Sequence, residues 1–237
     1  MSHNCEHEHE HEHGHDHSPP LATTEAQSLF QHVDTPHVLC LNAVGRGSND
    51  LHACFIKSQE DRYDVSKYLE SDADCQMIIH IPFTCVCRVY SCLFRFSRSN
   101  TGIGSPKTVK VFKNFKKSVD FDSLADAKPQ HELENPENVG IDVNGETSVD
   151  DDCGYVEHNL PRQHFQNVES LTFFIENNWS DDEDDLARCF YLELRGEATG
   201  QKQNNDGIPL LAVYESAPNP LDHQRVEDDA KSSTLGI

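Results

Sequence analysis

Apolar and polar residues alternate along much of this chain with a period of two, which is the pattern of half-buried β-strands. The alternation is clean at Leu171, Phe173 and Ile175. Met77, Ile79, Ile81 and Phe83 also fall on one face of a strand, and no segment shows a convincing helical period. Strand candidates bounded by turn residues are 38–41, 51–57, 76–83, 86–96, 108–113, 171–176, 189–195 and 210–215. Many short strands with turns between them predict an all-β fold, an antiparallel β-sandwich.

The strand candidate that begins near residue 86 changes its apolar face partway. Its first apolar face carries Cys85, Cys87 and Val89, and its second carries Tyr90, Cys92, Phe94 and Phe96. Such a change is typical of a bulge, or of a strand that bends from one sheet into another, as jelly-roll topologies require. The proline at position 82 has no amide hydrogen, so we expect it at a strand end or a sheet edge.

The chain of 237 residues is long enough for one sizeable core, and its composition divides it into a domain and tails. We expect a disordered, His-rich leader over 1–20, a β-sandwich domain over 21–216 and a flexible tail over 217–237. Within the domain, the polar and acidic stretch at about 123–154 predicts a long loop. The acidic run 181–185 lacks the glycine and the spacing of a calcium loop, which favours a solvated loop there.

Charge is distributed unevenly, and this is the main physical indication of a partner. The net charge of −22 argues against binding to nucleic acid or to a membrane surface. Residues 75–119 nevertheless contain no Asp or Glu. Their basic residues are Arg88, Arg95, Arg98, Lys107, Lys110, Lys113, Lys116 and Lys117. These predict a docking face for an acidic partner; the alternative is that solvated lysines protect strand edges from aggregation.

The nine cysteines indicate buried packing thiols in a reducing compartment, since an odd number cannot pair completely within one chain. Cys85 and Cys87 form a C-x-C motif on one strand face, and the chain has no C-x-x-C redox motif. It also has no nucleophile elbow, P-loop or dinucleotide fingerprint. We therefore expect no enzymatic activity and no bound cofactor.

The leader contains a second kind of candidate site. After His3, histidines recur at alternate positions: His7, His9, His11, His13, His15 and His17. Neutral imidazole binds zinc, copper and nickel, and an extended chain can bring several rings together. The leader is therefore expected to bind zinc or nickel adventitiously. The alternative is a disordered, solubilising arm.

One segment carries a family resemblance. Residues 68–83, YLESDADCQMIIHIPF, place an acidic turn before an apolar strand and resemble the signature of the PITH domain family. Further landmarks follow in the family's order: LFQHVDTPHVLCLN, PKTVKVFKN, FQNVESLTFFIEN and RCFYLELRGE. The His-rich leader is similar to that of the family's stand-alone members. The resemblance covers about residues 21–216.

The resemblance implies a non-catalytic interaction module that associates with the 19S regulatory particle of the 26S proteasome. It also implies a cytoplasmic and nuclear protein, and we expect a monomer. A ligand-binding sandwich, of the kind that binds carbohydrates, remains the alternative. Sugar sites usually present exposed aromatic rings, and Trp179 is the only tryptophan of the chain.

Overall fold

The computed structural model describes residues 22–142 and 154–201 of the chain. In these ranges the strands are β1 (Leu39–Leu41), β2 (Ala43–Arg46), β3 (Tyr68–Ser71), β4 (Met77–Phe96), β5 (Thr108–Lys113), β6 (His131–Glu134), β7 (Val156–Asn159), β8 (Val168–Ile175) and β9 (Arg188–Ala198). The helices are α1 (Phe121–Ala125) and four 3-10 turns, Glu25–Gln27, Phe30–His32, Thr35–His37 and His52–Cys54.

β4 organises the fold, because its two halves have different neighbours. Its first half pairs with β1 on one side and with β8 on the other, and the sheet continues through β5 to β6. Its second half pairs with β7 and β9, and that sheet continues through β3 to β2. All these pairs are antiparallel. The two sheets share β4 and form the predicted antiparallel β-sandwich.

The main core lies between the two sheets. Phe94, from the second half of β4, contacts Phe173 of β8 edge to face, with ring centroids 5.4 Å apart. Met77, Ile79 and Ile81 from the first half of β4 belong to the same buried cluster. The predicted apolar face is therefore confirmed, and its removal from water supplies the main favourable term of folding.

A second, smaller apolar cluster covers the outer face of the first sheet. Ile78 and Phe174 lie there beside Phe112 of β5, and Leu124 of α1 packs over them. The Asp120 side chain caps α1 by accepting a hydrogen bond from the Ser123 amide at 2.7 Å. Five residues are too few to show a helical period, so the sequence pattern does not predict α1.

The change of face near residue 86 is a bend of β4. Segments 76–83 and 86–96, predicted as two strands, form one strand whose pairing with β8 shifts register between Pro82 and Cys87. Pro82 lies inside β4 rather than at its end, but on an open side of the strand. Its carbonyl accepts from the Asp34 amide at 2.9 Å, and β1, the described strand on that side, stops opposite His80, so the missing amide hydrogen interrupts no ladder.

Three other expectations need comment. Segment 51–57 is not a strand but contains the 3-10 turn His52–Cys54, and Cys54, Phe55 and Ile56 are buried without joining a ladder. The stretch 123–154 is not loop throughout, since β6 lies inside it and pairs with β5. Segment 210–215 and residues 143–153 lie outside the described residues.

Candidate interaction surface

Arg95 is not available to a partner, which corrects the predicted basic surface. It is 1% exposed, and its guanidinium carbon lies 4.6 Å from the ring centroid of Tyr155 and 5.8 Å from that of Tyr63. Its Nη1 donates to the Tyr155 hydroxyl at 3.3 Å, and that hydroxyl donates to the Arg62 carbonyl at 2.6 Å. Arg95 therefore holds the 62–63 segment against the second sheet.

Two lysines of the predicted surface are already engaged within the domain. Lys110 is mostly buried, and its Nζ lies 2.6 Å from Oε1 of Glu176, the residue directly after β8. The Lys107 ammonium lies 4.5 Å from the centroid of the Trp179 ring. These lysines stabilise the region where β5 meets the turn after β8, and they offer little positive charge to a partner.

The remaining basic residues differ in their exposure and in their contacts. Lys116 and Lys117 are exposed in the turn that follows β5. The Lys113 ammonium donates to the Gln166 carbonyl at 3.2 Å. Arg88 is 53% exposed and lies 4.0 Å from Glu197, while Arg98 is half-buried. Lys116 and Lys117 are thus the basic pair best placed to meet an acidic partner.

An acidic cleft, which the sequence patterns did not predict, lies at one end of the first sheet. It joins the turn before β4 to the turn after β8, because Met77 pairs with Ile175 in the sheet. The cavity has a volume of about 260 Å³. Its lining residues are Asp74, Cys75, Gln76, Glu176, Asn177, Asn178, Asp181 and Glu183. No periodicity reveals it, since the two turns are about 100 residues apart.

Hydrogen bonds fix the walls of the acidic cleft. Asn42 Nδ2 donates to the Asp74 carboxylate at 2.8 Å and to the Gln76 carbonyl at 2.7 Å. The Cys75 amide donates to the Glu183 carbonyl at 2.9 Å. Burial, and then the neighbouring Asp74 and Glu183 carboxylates, raise the pKa of the Cys75 thiol. Cys75 therefore stays protonated in an electronegative environment, which does not favour nucleophilic chemistry.

The Trp179 ring does not have an open face on which a sugar could stack. Its ring is half-buried, its Nε1 donates to the Asn135 carbonyl at 2.9 Å, and Lys107 lies over the ring. Carbohydrate sites usually stack a sugar against an accessible ring face. The arrangement around Trp179 thus gives the carbohydrate alternative no specific support.

The seven described cysteines are thiols, five of them are buried, and three of these five, Cys87, Cys92 and Cys189, lie in strands. Burial raises the pKa of Cys189 to about 12 and raises the pKa of Cys92 as well. Cys85 differs, because it is half-buried and its Sγ lies 3.7 Å from His32 Nδ1. The prediction of buried packing thiols holds for Cys87, Cys92 and Cys189, whereas Cys85 packs against the main core but is only half-buried.

The predicted metal ligands His7, His9, His11, His13, His15 and His17 lie outside the described residues. Across 22–142 and 154–201, no group of three or more His, Cys, Asp or Glu side chains is placed to hold a metal ion. In the same ranges, no helix has the length and apolar character to cross a membrane.

Comparison with known proteins identifies the family. The model of the PITH domain matches residues 19–218, which is most of the chain. This chain belongs to the PITH domain family. Similar relatives include PITH domain-containing protein CG6153 of Drosophila melanogaster, 30% identical over 83% of this chain and 81% of that protein. PITH domain-containing protein 1 of Homo sapiens is 27% identical over 87% of this chain and 85% of that protein.

The chain is also similar to a further PITH relative and to a solved structure. PITH domain-containing protein P35G2.02 of Schizosaccharomyces pombe is 26% identical over 89% of this chain and 90% of that protein. Among solved structures, the chain is similar to the family 32 carbohydrate-binding module of Clostridium perfringens NanJ in complex with galactose. That match has a TM-score of 0.42 and 9% identity, and it covers 69% of this chain and 97% of the module. The assignment of the sandwich here rests on its own strand pairing.

Proposed function

We propose that this PITH domain protein is a non-catalytic interaction module that associates with the 19S regulatory particle of the 26S proteasome. The observation that carries the proposal is the match of the PITH model to residues 19–218, because the resemblance to this family implies proteasome association. The proposal includes a monomer in the cytoplasm and nucleus. Its leader would span 1–20, its domain 21–216 and its tail 217–237.

The described surface carries a basic pair and an acidic cleft at separate places, and this distribution of charge supports an interaction role. Lys116 and Lys117 project from the turn between β5 and α1, whereas the acidic cleft carries Asp74, Asp181 and Glu183. Complementary potentials steer encounter and set register between large partners. A partner with an acidic patch facing the lysine pair would therefore dock in a defined orientation.

Affinity purification of the tagged full chain from its native cells, followed by mass spectrometry, tests the function. Subunits of the regulatory particle should be recovered with the wild-type protein. Their absence from repeated native purifications, with the protein itself folded and abundant, would refute the proposed function.

A charge-reversal variant tests the contribution of the lysine pair. Lys116→Glu with Lys117→Glu should slow association with purified proteasome by about tenfold at low salt, because steering raises association rates by 10-fold or more. The difference should shrink between about 0.01 M and 0.15 M salt, as the Debye length falls from about 30 Å to about 8 Å.

A matched control separates this local effect from net charge. Lys67 and Lys128 are exposed outside the lysine pair, so Lys67→Glu with Lys128→Glu alters the net charge equally. This control should associate at close to the wild-type rate. Equal slowing of both double variants would assign the effect to net charge and remove Lys116 and Lys117 from the contact surface.

A further inference from the structure

Cys85, Cys87 and His32 form a cluster that the proposed interaction function does not use. Cys85 Sγ lies 3.7 Å from His32 Nδ1, and Cys87 Sγ donates to the Cys85 carbonyl at 3.4 Å. Cys85 and His32 are half-buried, whereas Cys87 is fully buried. Of the cysteines in the described ranges, Cys85 is the one placed within hydrogen-bond reach of an imidazole.

The backbone around this cluster is fixed from both sides. The Thr84 hydroxyl donates to the His32 carbonyl at 3.2 Å, and the Asp34 amide donates to the Pro82 carbonyl at 2.9 Å. On the other side, the Thr199 hydroxyl donates to the Val86 carbonyl at 2.8 Å. These bonds hold the 3-10 turn Phe30–His32 over β4 and keep the imidazole beside the thiol.

Cys85 lies where β4 is free of regular pairing with β8, and Cys87 lies where pairing resumes, opposite Val168 on one side and Ala198 on the other. Pro82 pairs with Ser170, and Cys87 pairs with Val168. Between these two pairs β4 advances by five residues (87 − 82) while β8 advances by two (170 − 168), so β4 bulges away from β8 here. In an extended strand, Cα atoms two residues apart are separated by about 6.6 Å. Disulfides span Cα distances of about 4.4–6.8 Å, so a bond across one intervening residue is attainable where the ladder is already interrupted.

We propose that Cys85 and Cys87 form a reversible, peroxide-sensitive dithiol in which His32 activates Cys85. Cys85 is the accessible nucleophile and Cys87 is the buried resolving thiol. The difference in burial agrees with the pKa of Cys87, which burial and the neighbouring Cys85 thiol raise to about 12. A disulfide closed over a single residue is strained, and strained disulfides are the readily reduced, regulatory kind.

The chemistry balances with hydrogen peroxide as the oxidant. His32 accepts the proton of Cys85, and the thiolate attacks one peroxide oxygen, which forms an S–O bond and breaks the O–O bond. The departing hydroxide takes the proton back from the imidazolium and leaves as water. Cys87 then attacks the Cys85 sulfur, the S–S bond forms, and the S–O bond breaks with release of a second water. A dithiol reductant restores both thiols by exchange.

Peptide mass spectrometry of the peroxide-treated full chain tests the proposal. Trypsin releases residues 68–88, which also contain Cys75, so a Cys75→Ser background leaves only the two candidate thiols in that peptide. Peroxide should convert the peptide to a form that lacks two hydrogens and resists alkylation until a dithiol is added. Persistence of two free thiols, or formation of sulfinic acid without this disulfide, would overturn the proposal.

Three variants assign the roles. Cys87→Ser should stop at a sulfenic acid on Cys85 that a 1,3-dione traps, and Cys85→Ser should leave Cys87 unoxidised. His32→Asn should slow alkylation of Cys85 by about 100-fold, the lower end of what a positioned base contributes. Slow alkylation of Cys92 in each variant reports an intact core. If the wild-type Cys85 were alkylated no faster than Cys92, the proposed activation would be wrong whatever the variants did.

Discussion

Glu70 provides a quantitative test of how the second sheet is held together. Its carboxylate is 6% exposed and bridges two arginines on the flanking strands. Oε1 lies 2.9 Å from Arg46 Nη2 on β2, and Oε2 lies 2.5 Å from Arg188 Nε on β9. Glu70→Gln keeps the shape of the side chain and removes its charge, so it leaves both guanidinium groups without their carboxylate.

The two ion pairs of Glu70 differ in burial, and burial determines how much each pair contributes to stability. Arg46 is 51% exposed, and an exposed pair contributes about 0.2–1 kcal/mol. Arg188 is 19% exposed, and removal of one partner from a buried pair costs about 3–5 kcal/mol. Because Arg188 keeps some access to water, we expect Glu70→Gln to lower the free energy of unfolding by about 2–4 kcal/mol.

Thermal and urea unfolding of four variants checks this reasoning. At about 2–4 °C per kcal/mol for a chain of this size, Glu70→Gln should lower Tm by roughly 4–16 °C. Arg46→Met should lower it by less than about 4 °C, and its effect should fade in 1 M salt, where the Debye length is about 3 Å. Arg188→Met and the double variant with Glu70→Gln should give a coupling energy of about 1–3 kcal/mol.

The measured losses of stability show whether the strength of each ion pair depends on its burial or only on its charges. Equal losses for Arg46→Met and Arg188→Met would show that burial does not set the strength of these pairs. Disappearance of the Glu70→Gln effect at high salt would show that the bridge is effectively solvated. Either result would refute the reasoning from exposure.

Burial and His131 lower the pKa of His158 from 6.5 to about 4, so its stabilising contribution is present above pH 6.5 and is lost as pH falls toward 4. The free energy of unfolding lost in this way is at most about 3 kcal/mol. In His158→Gln, Tm should therefore depend less steeply on pH between pH 4 and pH 6.5. An unchanged slope would contradict the assignment to His158. Phe94→Ala should lower the free energy of unfolding by about 3–5 kcal/mol in urea titrations, with Phe94→Leu less affected, since Phe94 is fully buried between the sheets. The full chain should bind zinc or nickel at neutral pH and release it near pH 5 in calorimetry, because protonated imidazole is no ligand. Deletion of residues 1–18 should abolish that binding and leave Tm almost unchanged; a large fall in Tm would contradict a disordered leader.

The sequence predicts burial best where the local pattern of apolar residues determines which face of a strand is covered. Met77, Ile79 and Ile81 lie two residues apart in a strand, and this spacing is enough to place them on one buried face. β5 coincides with the predicted segment 108–113. The short strands β2, β3, β6 and β7 were not predicted, because strands of four residues give little periodic signal.

The basic surface shows why a charge pattern is weaker than an apolar one. Arg95 and Lys116 carry the same charge in the same acid-free stretch, yet one is buried between tyrosines and the other is exposed. Charge along the chain does not reveal which face of a strand is covered. Here the cover comes from the 62–63 segment and from Tyr155, which lie far from Arg95 in the sequence.

The sequence by itself determined the all-β character, the apolar faces of the long strands and the family, because these depend on local alternation and on ordered landmarks. Only the tertiary structure decided that segments 76–83 and 86–96 form one strand shared by both sheets, that Asp74 and Glu183 line one cleft, and that His32 lies beside Cys85. Each of these depends on pairing between strands that are distant along the chain. That pairing is set by how whole faces pack together, and no local pattern of residues encodes it.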